Sequence, residues 1–381
     1  MTKEKETMTP EERIQAAVDL KAPDRVPIVP LIAQFALRHQ GVPQAEAYRN
    51  PLRARQALIN TFDTLGGYDA VVGANLLWPR SSWRISAAPT RMQFPGKGGA
   101  PEDAQIQAME QELMTVEDYD KIIDRGWNGF CEEFLPRVTG RPLEKIDALQ
   151  KLIVKISLDD VRAWNEHGVV VLGGATIWSC DMILSVCRTL TQFTLDLYRR
   201  PDKVEAAMDA VVPDLIQNVI DDIKATGNPW VFLPLERGSG FYYPMRIFER
   251  FVFPYLRKMV DAFVAEGFTT ILHFDTDWTL NLPYLKELPK GKCICELDSK
   301  TDIFKAKEIL QGRMCIMGDV PPSLLSIGAT EDVVAYCEKL IDVIGKDGGF
   351  ILSTGCECPI DAKFENVKAM VDTAKNYLPA R

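Results

Sequence analysis

The stretch ILHFDTDW, residues 271–278, is an apolar run that turns polar at His273 and then offers Asp275 and Asp277. Only three histidines occur in 381 residues, so one that closes an apolar run two places before a carboxylate is a candidate for chemistry. Residues i and i+2 of a strand point to the same side, which sets His273 with Asp275 and sends Phe274 the other way. KCICELD (292–298) repeats the pattern with Glu296 and Asp298. WVFLPLE (230–236) ends on Glu236, and GFILSTG (349–355) runs into Cys356 and Cys358. Imidazole, carboxylate and thiolate are ligand types of zinc, and three protein ligands leave a place for a substrate. The candidate ligands are therefore His273, Asp275, Glu236 and Cys356, with Asp275, Glu296 and Asp298 as candidate catalytic carboxylates. A structural alternative stays open at this level. A histidine at a strand end can equally be packed and hydrogen-bonded, and C-x-C is a much weaker metal signal than paired C-x-x-C motifs.

These side chains need a frame that gathers strand ends. RVPIVPLI (25–32), DAVVGAN (69–75), GVVVLGGAT (168–176), WVFLPLE, TTILHFD (269–275), KCICELD, MCIMGDV (314–320) and GFILSTG are short, β-rich and apolar. Helix-like segments at 203–225, 245–266, 302–311 and 331–346 separate the later ones. Apolar strands alternating with helices predict a parallel sheet covered on its faces. Eight such units predict an α/β fold, a (β/α)₈ TIM barrel whose active site lies at the C-terminal strand ends. A doubly wound sheet is the rival, but no G-x-G-x-x-G follows the first strand. Thr9-Pro10-Glu11-Glu12 predicts a capped N-terminal helix ending near Ala22-Pro23. Residues 84–166, more polar and carrying PGKGGAPEDA, read as an insertion after the second strand with a turn and several helices. A single domain over residues 1–381 is expected.

Trp78, Trp178, Tyr242, Tyr243 and Trp278 fall in loops on the face where the strands end. Such a mouth suits a flat apolar ligand, because ring stacking orients as well as buries; ordinary lid packing accounts for the same rings. The net charge of −9 argues against a nucleic-acid partner and against a polybasic membrane patch. No apolar run reaches the ~18–20 residues of a membrane span, and MTKEKETMTPEER lacks the apolar core of a signal peptide, so a cytoplasmic protein is expected. The nine cysteines lie mostly in apolar segments such as KCICEL, which predicts reduced, packed thiols. A homodimer is left open.

Several segments taken together resemble one family over roughly residues 10–377. They are TPEERIQAAVDLKAPDRVPIVP, YYPMRIFERFVFPYLRKMVDAFVAEG, ELDSKTDIFKAKEIL, MGDVPPSLL and STGCECPIDAKFENVKAM. The family is the uroporphyrinogen decarboxylase superfamily, and the resemblance implies the same barrel. Decarboxylating members resemble one another in an R-Q-A-G-R-Y segment; here PLIAQFALRHQG offers only Arg38. The other branch, the corrinoid-dependent methyltransferases, has a zinc motif H-x-C with a later cysteine in a G-C segment. His273 and Cys356 match its ends, and Asp275 stands at the middle position. A carboxylate there makes the metal harder and better suited to an oxygen-bearing substrate. The resemblance therefore implies an O-demethylase component that moves a methyl group from an aromatic methyl ether to the cob(I)alamin of a separate corrinoid protein. That partner is expected because no D-x-H-x-x-G corrinoid motif occurs in this sequence. Two alternatives remain: a methylcorrinoid-to-thiol methyltransferase, and a decarboxylase-like tetrapyrrole binder.

Overall fold

The computed structural model describes residues 6–72 and 91–377. Among the described residues ten strands form: β1 (Ala70–Val72), β2 (Arg91–Gln93), β3 (Gln107–Met109), β4 (Val170–Leu172), β5 (Ala175–Thr176), β6 (Trp230–Leu235), β7 (Thr269–Phe274), β8 (Cys293–Leu297), β9 (Cys315–Val320) and β10 (Phe350–Thr354). β5 to β10 make one continuous parallel ladder in chain order, and β1 pairs with β4. Two gaps remain, and hydrogen bonds bridge both. Val29 N–H donates to Leu352 O, Leu352 N–H to Pro27 O and Asp69 N–H to Ile28 O, each at 2.9 Å. Gly174 N–H donates to Trp230 O at 2.7 Å, and Asn228 Nδ2 to Val171 O at 2.8 Å. Residues 27–29 thus act as the first stave, and the eight-membered barrel closes.

Two of the expected strands are shorter than the sequence suggests. In RVPIVPLI, Pro27 and Pro30 have no N–H to give a ladder, so pairing shrinks to residues 27–29. GVVVLGGAT breaks into β4 and β5 at Gly173-Gly174. The backbone of Gly174 lies so close to Asn228 that a Cβ would sit 2.0 Å from its carbonyl oxygen, a position only glycine can occupy.

Alternation along the strands divides the core in two. Val72, Leu172, Phe232, Ile271, Ile294, Met317 and Ile351 fill the barrel interior. Their neighbours Leu233, Leu272, Cys295, Ile316 and Leu352 pack outward against the helices. The insertion between β1 and β4 includes the antiparallel hairpin of β2 and β3 and two long helices, Asp118–Thr139 and Leu143–Glu166. Thr9 caps helix Pro10–Val18 in a reciprocal capping box with Glu12, as the sequence predicts. Beneath the barrel, Arg13 is fully buried and pairs with Asp24 at 2.7 Å and with Asp69 at 2.6 Å; Arg25 reaches Asp69 at 2.7 Å. This network ties the N-terminal helix to two staves. All nine cysteines are free. Among the described residues no helix is long and apolar enough to cross a membrane.

Candidate metal centre

β7 rises through the barrel interior on Ile271, and two residues on the same face changes to His273, then Asp275. β8 lies beside it in a register that sets Glu296 directly opposite His273. The three strand ends β7, β8 and β10 therefore deliver imidazole, carboxylates and thiol to one point. His273 Nε2 lies 3.4 Å from Asp275 Oδ1 and 3.7 Å from Cys356 Sγ. All three ligand atoms lie within 4.8 Å of one another.

These separations can be tested against zinc. Bonds of about 2.0–2.3 Å in a tetrahedron place neighbouring ligand atoms ~3.3–3.6 Å apart. The observed 3.4 and 3.7 Å agree. The other face of the imidazole supports the same assignment. Nδ1 lies 3.0 Å from Glu296 Oε2, an approach that is close but poorly aligned for a hydrogen bond. With Nδ1 turned to a buried carboxylate, Nε2 is the nitrogen left for a metal.

Carboxylates and a thiol surround the imidazole and set its electrostatics. Burial works against charging His273, yet Glu296, Asp275 and Cys356 outweigh it and hold its pKa well above the ordinary value. Burial pushes the Cys356 thiol up, partly offset by the imidazole. Asp275 is lowered, because its contact with His273 overcomes burial. Glu236 stands at the end of the next strand, raised first by burial and then by the Asp275 charge; it is not within the three-atom cluster.

The loops that follow the strands are braced. Thr276, Ser299 and Cys356 all have left-handed backbones, with φ of 71°, 74° and 102°. Such conformations cost free energy for non-glycine residues and persist only when their surroundings enforce them. Asp298 does part of this. Its Oδ2 accepts from Thr276 N–H at 2.7 Å and its Oδ1 from Lys300 N–H at 2.8 Å. Ser239 Oγ and Thr276 Oγ1, 2.9 Å apart, tie the β6 loop to the β7 loop, and Thr301 Oγ1 donates to Thr276 O at 3.1 Å. Thr276, Ser239 and Thr301 were not among the sequence candidates. For Thr276 and Thr301 the sequence signal is the density of small hydroxyl residues around DTDWT and DSKTD; Ser239, in RGSGF, has none.

The expected aromatic mouth is only partly formed. Trp278 is fully buried, gives its indole N–H to Asp275 O at 2.7 Å, and packs on Phe274 and Phe248. It is a core residue that positions the Asp275 backbone. Tyr243 is also buried, at 3% exposure. Trp178 is half-buried against Met182 and Val186, while Tyr242 is 37% and Phe241 67% exposed at the rim. Trp78 lies outside the described residues. One ring beside the ligand cluster was not a sequence candidate: Phe232, whose centroid is 5.4 Å from that of His273.

The family model described as Uroporphyrinogen decarboxylase (URO-D) matches residues 140–377, and the chain belongs to that family. The relatives it resembles carry different names. Over 130 residues it is 30% identical to Methylcobamide:CoM methyltransferase MtbA of Methanosarcina acetivorans, covering 34% of this chain and 37% of that one. Over 129 residues it is 32% identical to Uroporphyrinogen decarboxylase of Anaeromyxobacter dehalogenans, covering 34% and 36%. The chain thus spans about a third of the length of the curated relatives it matches. A solved structure titled methyltransferase from Methanosarcina mazei superposes with a TM-score of 0.70 over 96% of this chain and 98% of its own, at 16% identity, a likeness of fold.

Proposed function

We propose that the protein moves a methyl group from an aryl methyl ether to the cob(I)alamin of a separate corrinoid protein. The observation that carries this is the meeting of His273, Asp275 and Cys356 at the C-terminal end of the barrel, with one ligand atom of each within 4.8 Å of the others. The name of the MtbA relatives supports corrinoid chemistry. A zinc ion held by this His/carboxylate/thiolate set would supply Lewis acidity for an ether oxygen, the more so with a carboxylate in place of a second thiolate.

The chain's own residues divide the remaining work. His273, Asp275 and Cys356 would hold the metal, and three protein ligands would leave it able to take a substrate atom. Glu296 fixes the imidazole ring from behind. Asp298, through Thr276, holds the turn that aims Asp275. Glu236 borders the cluster as a further carboxylate. Phe232 forms an apolar floor beside the imidazole, and Trp178 and Tyr242 flank the entrance. In the reaction the methyl carbon changes partner from oxygen to cobalt(I), which becomes methylcobalt(III). The ether oxygen keeps the bonding pair and leaves as phenolate, taking a proton from water.

The test is to incubate the protein with an aryl methyl ether with and without a reduced corrinoid protein. One phenol per methylcobalamin is expected with the partner, and none without it. Phenol release in the absence of any corrinoid would overturn the reading. A second reading, transfer from a methylcorrinoid to a thiol, is favoured by the name of the same relatives. Methylcobalamin consumption that requires an added thiol would select it.

A further inference from the structure

We propose that Glu357 is a positioning residue for the metal centre: its carboxylate, anchored on the loop after the first stave, holds Cys356 Sγ where a metal needs it. The inference rests on the ligand assignment above and deepens it. Its starting point is the backbone of Cys356, whose φ of 102° is one that L side chains rarely adopt. Such a conformation costs free energy, so the surroundings of Cys356 must enforce it.

The residues around Cys356 are tied down on both sides, each to a different stave. Before it, Gly355 N–H donates to Val320 O at 2.8 Å, at the end of β9. Gly355 also lies against the β8 loop, where a Cβ would come within 3.1 Å of the Asp298 carbonyl. After it, Cys358 N–H donates to Leu31 O at 2.6 Å, just past the first stave. Glu357 adds a side-chain tie to these backbone ones. Its Oε1 accepts from Gln34 N–H at 2.9 Å, and Ala33 N–H is a second donor to the same carboxylate.

Ala33 and Gln34 open helix Ala33–His39, and the apolar Ile32 before them has no side-chain atom with which to cap it. The first N–H groups of a helix need partners from outside it. Glu357 supplies one from 323 residues away. The bond works in both directions: the helix gains a cap, and the residue next to Cys356 gains a fixed direction. With Glu357 held, the Cys356 thiol faces His273 Nε2 at 3.7 Å. The role is one of reach and not of charge, which separates it from that of Glu296.

The experiment loads wild type, Glu357→Gln, Glu357→Asp and Glu357→Ala with cobalt(II) in place of zinc. It records the near-ultraviolet thiolate-to-cobalt charge-transfer band, with zinc affinity by chelator competition and the Tm alongside. Glu357→Gln keeps an acceptor oxygen at the same reach and should keep the wild-type band. Glu357→Asp keeps the charge but falls one methylene short of the N–H groups. It and Glu357→Ala should lose most of the band and bind zinc roughly tenfold more weakly; the aspartate variant decides if the alanine variant does not fold. A full band and wild-type zinc affinity in Glu357→Asp, whatever its Tm, would make Glu357 a helix cap only, overturning the proposal and leaving the metal centre standing. A loss in Glu357→Gln as large as in Glu357→Asp would overturn it too, since reach would then not be what matters. A wild-type protein that takes up neither cobalt nor zinc would overturn the metal centre and, with it, the proposal.

Discussion

Glu296 Oε2 stands 3.0 Å behind His273 Nδ1, across a parallel strand pair that sets the two residues side by side. Glu296 is fully buried, and neither of its oxygens has a hydrogen-bond partner. A buried carboxylate without donors is sustained by a protonated or metal-bound imidazole in front of it. This pair therefore links the fold to the proposed metal centre.

Glu296→Gln tests that link without touching a ligand atom. It keeps the shape and removes the charge that orients the ring, so zinc affinity should fall roughly 10–100-fold. Competition against a chromophoric chelator reads this directly. An unchanged affinity would make Glu296 a bystander.

Metal content tests the cluster itself. The purified protein should carry about one zinc per chain, and His273→Ala combined with Cys356→Ser should carry none. Full occupancy in the double variant, measured by elemental analysis, would refute the ligand assignment.

Asp275→Cys separates metal binding from rate. A thiolate is also a zinc ligand, so the metal should stay, but its greater charge donation should slow demethylation. A loss of ~3 kcal/mol in leaving-group stabilisation would be on the order of a hundredfold. Equal rates per bound zinc in the variant and wild type would show that Asp275 does not tune the site.

Asp24 gives a pH test of the N-terminal network. Burial would raise its carboxyl pKa, but hydrogen bonds from Arg13 and from the Met8 and Thr7 backbone outweigh it and hold the pKa well below the usual range. A carboxyl whose pKa is lower in the folded state contributes stability fully above its unfolded value of about 3.9, and loses it as pH falls through the folded value. Asp24→Asn should thus destabilise by about 1–3 kcal/mol near neutral pH. The gap should stay constant down to about pH 5 and narrow below about pH 4. Urea melts at pH 7 and pH 3 showing the same gap would contradict the pairing.

The barrel was legible because short, fully apolar runs alternating with amphipathic helices allow few other arrangements. His273, Asp275 and Cys356 could be read for the same reason: each sits at or just past the end of a strand whose facing is fixed by alternation. What the sequence hid was register. Nothing in KCICELD says that Glu296 pairs with His273 rather than standing beside Asp298 in the mouth. Trp278 was misplaced because loop position in a sequence does not report depth; its indole turns inward onto Phe274. Asp298 looked catalytic by residue type, yet it spends both oxygens on backbone N–H groups.

The barrel is also mechanically lopsided. From β6 to β10 the ladder strands are five or six residues long. Among the described residues the staves at 27–29, β1, β4 and β5 pair over three residues or fewer. His273, Asp275, Glu296 and Cys356 all sit on the long-laddered half, where backbone hydrogen exchange should be slowest. The loop after β5 hangs from the short-laddered half, where it can change length or sequence without shifting His273, Asp275 or Cys356. Over evolutionary time that half is free to drift while the half that carries the cluster stays fixed.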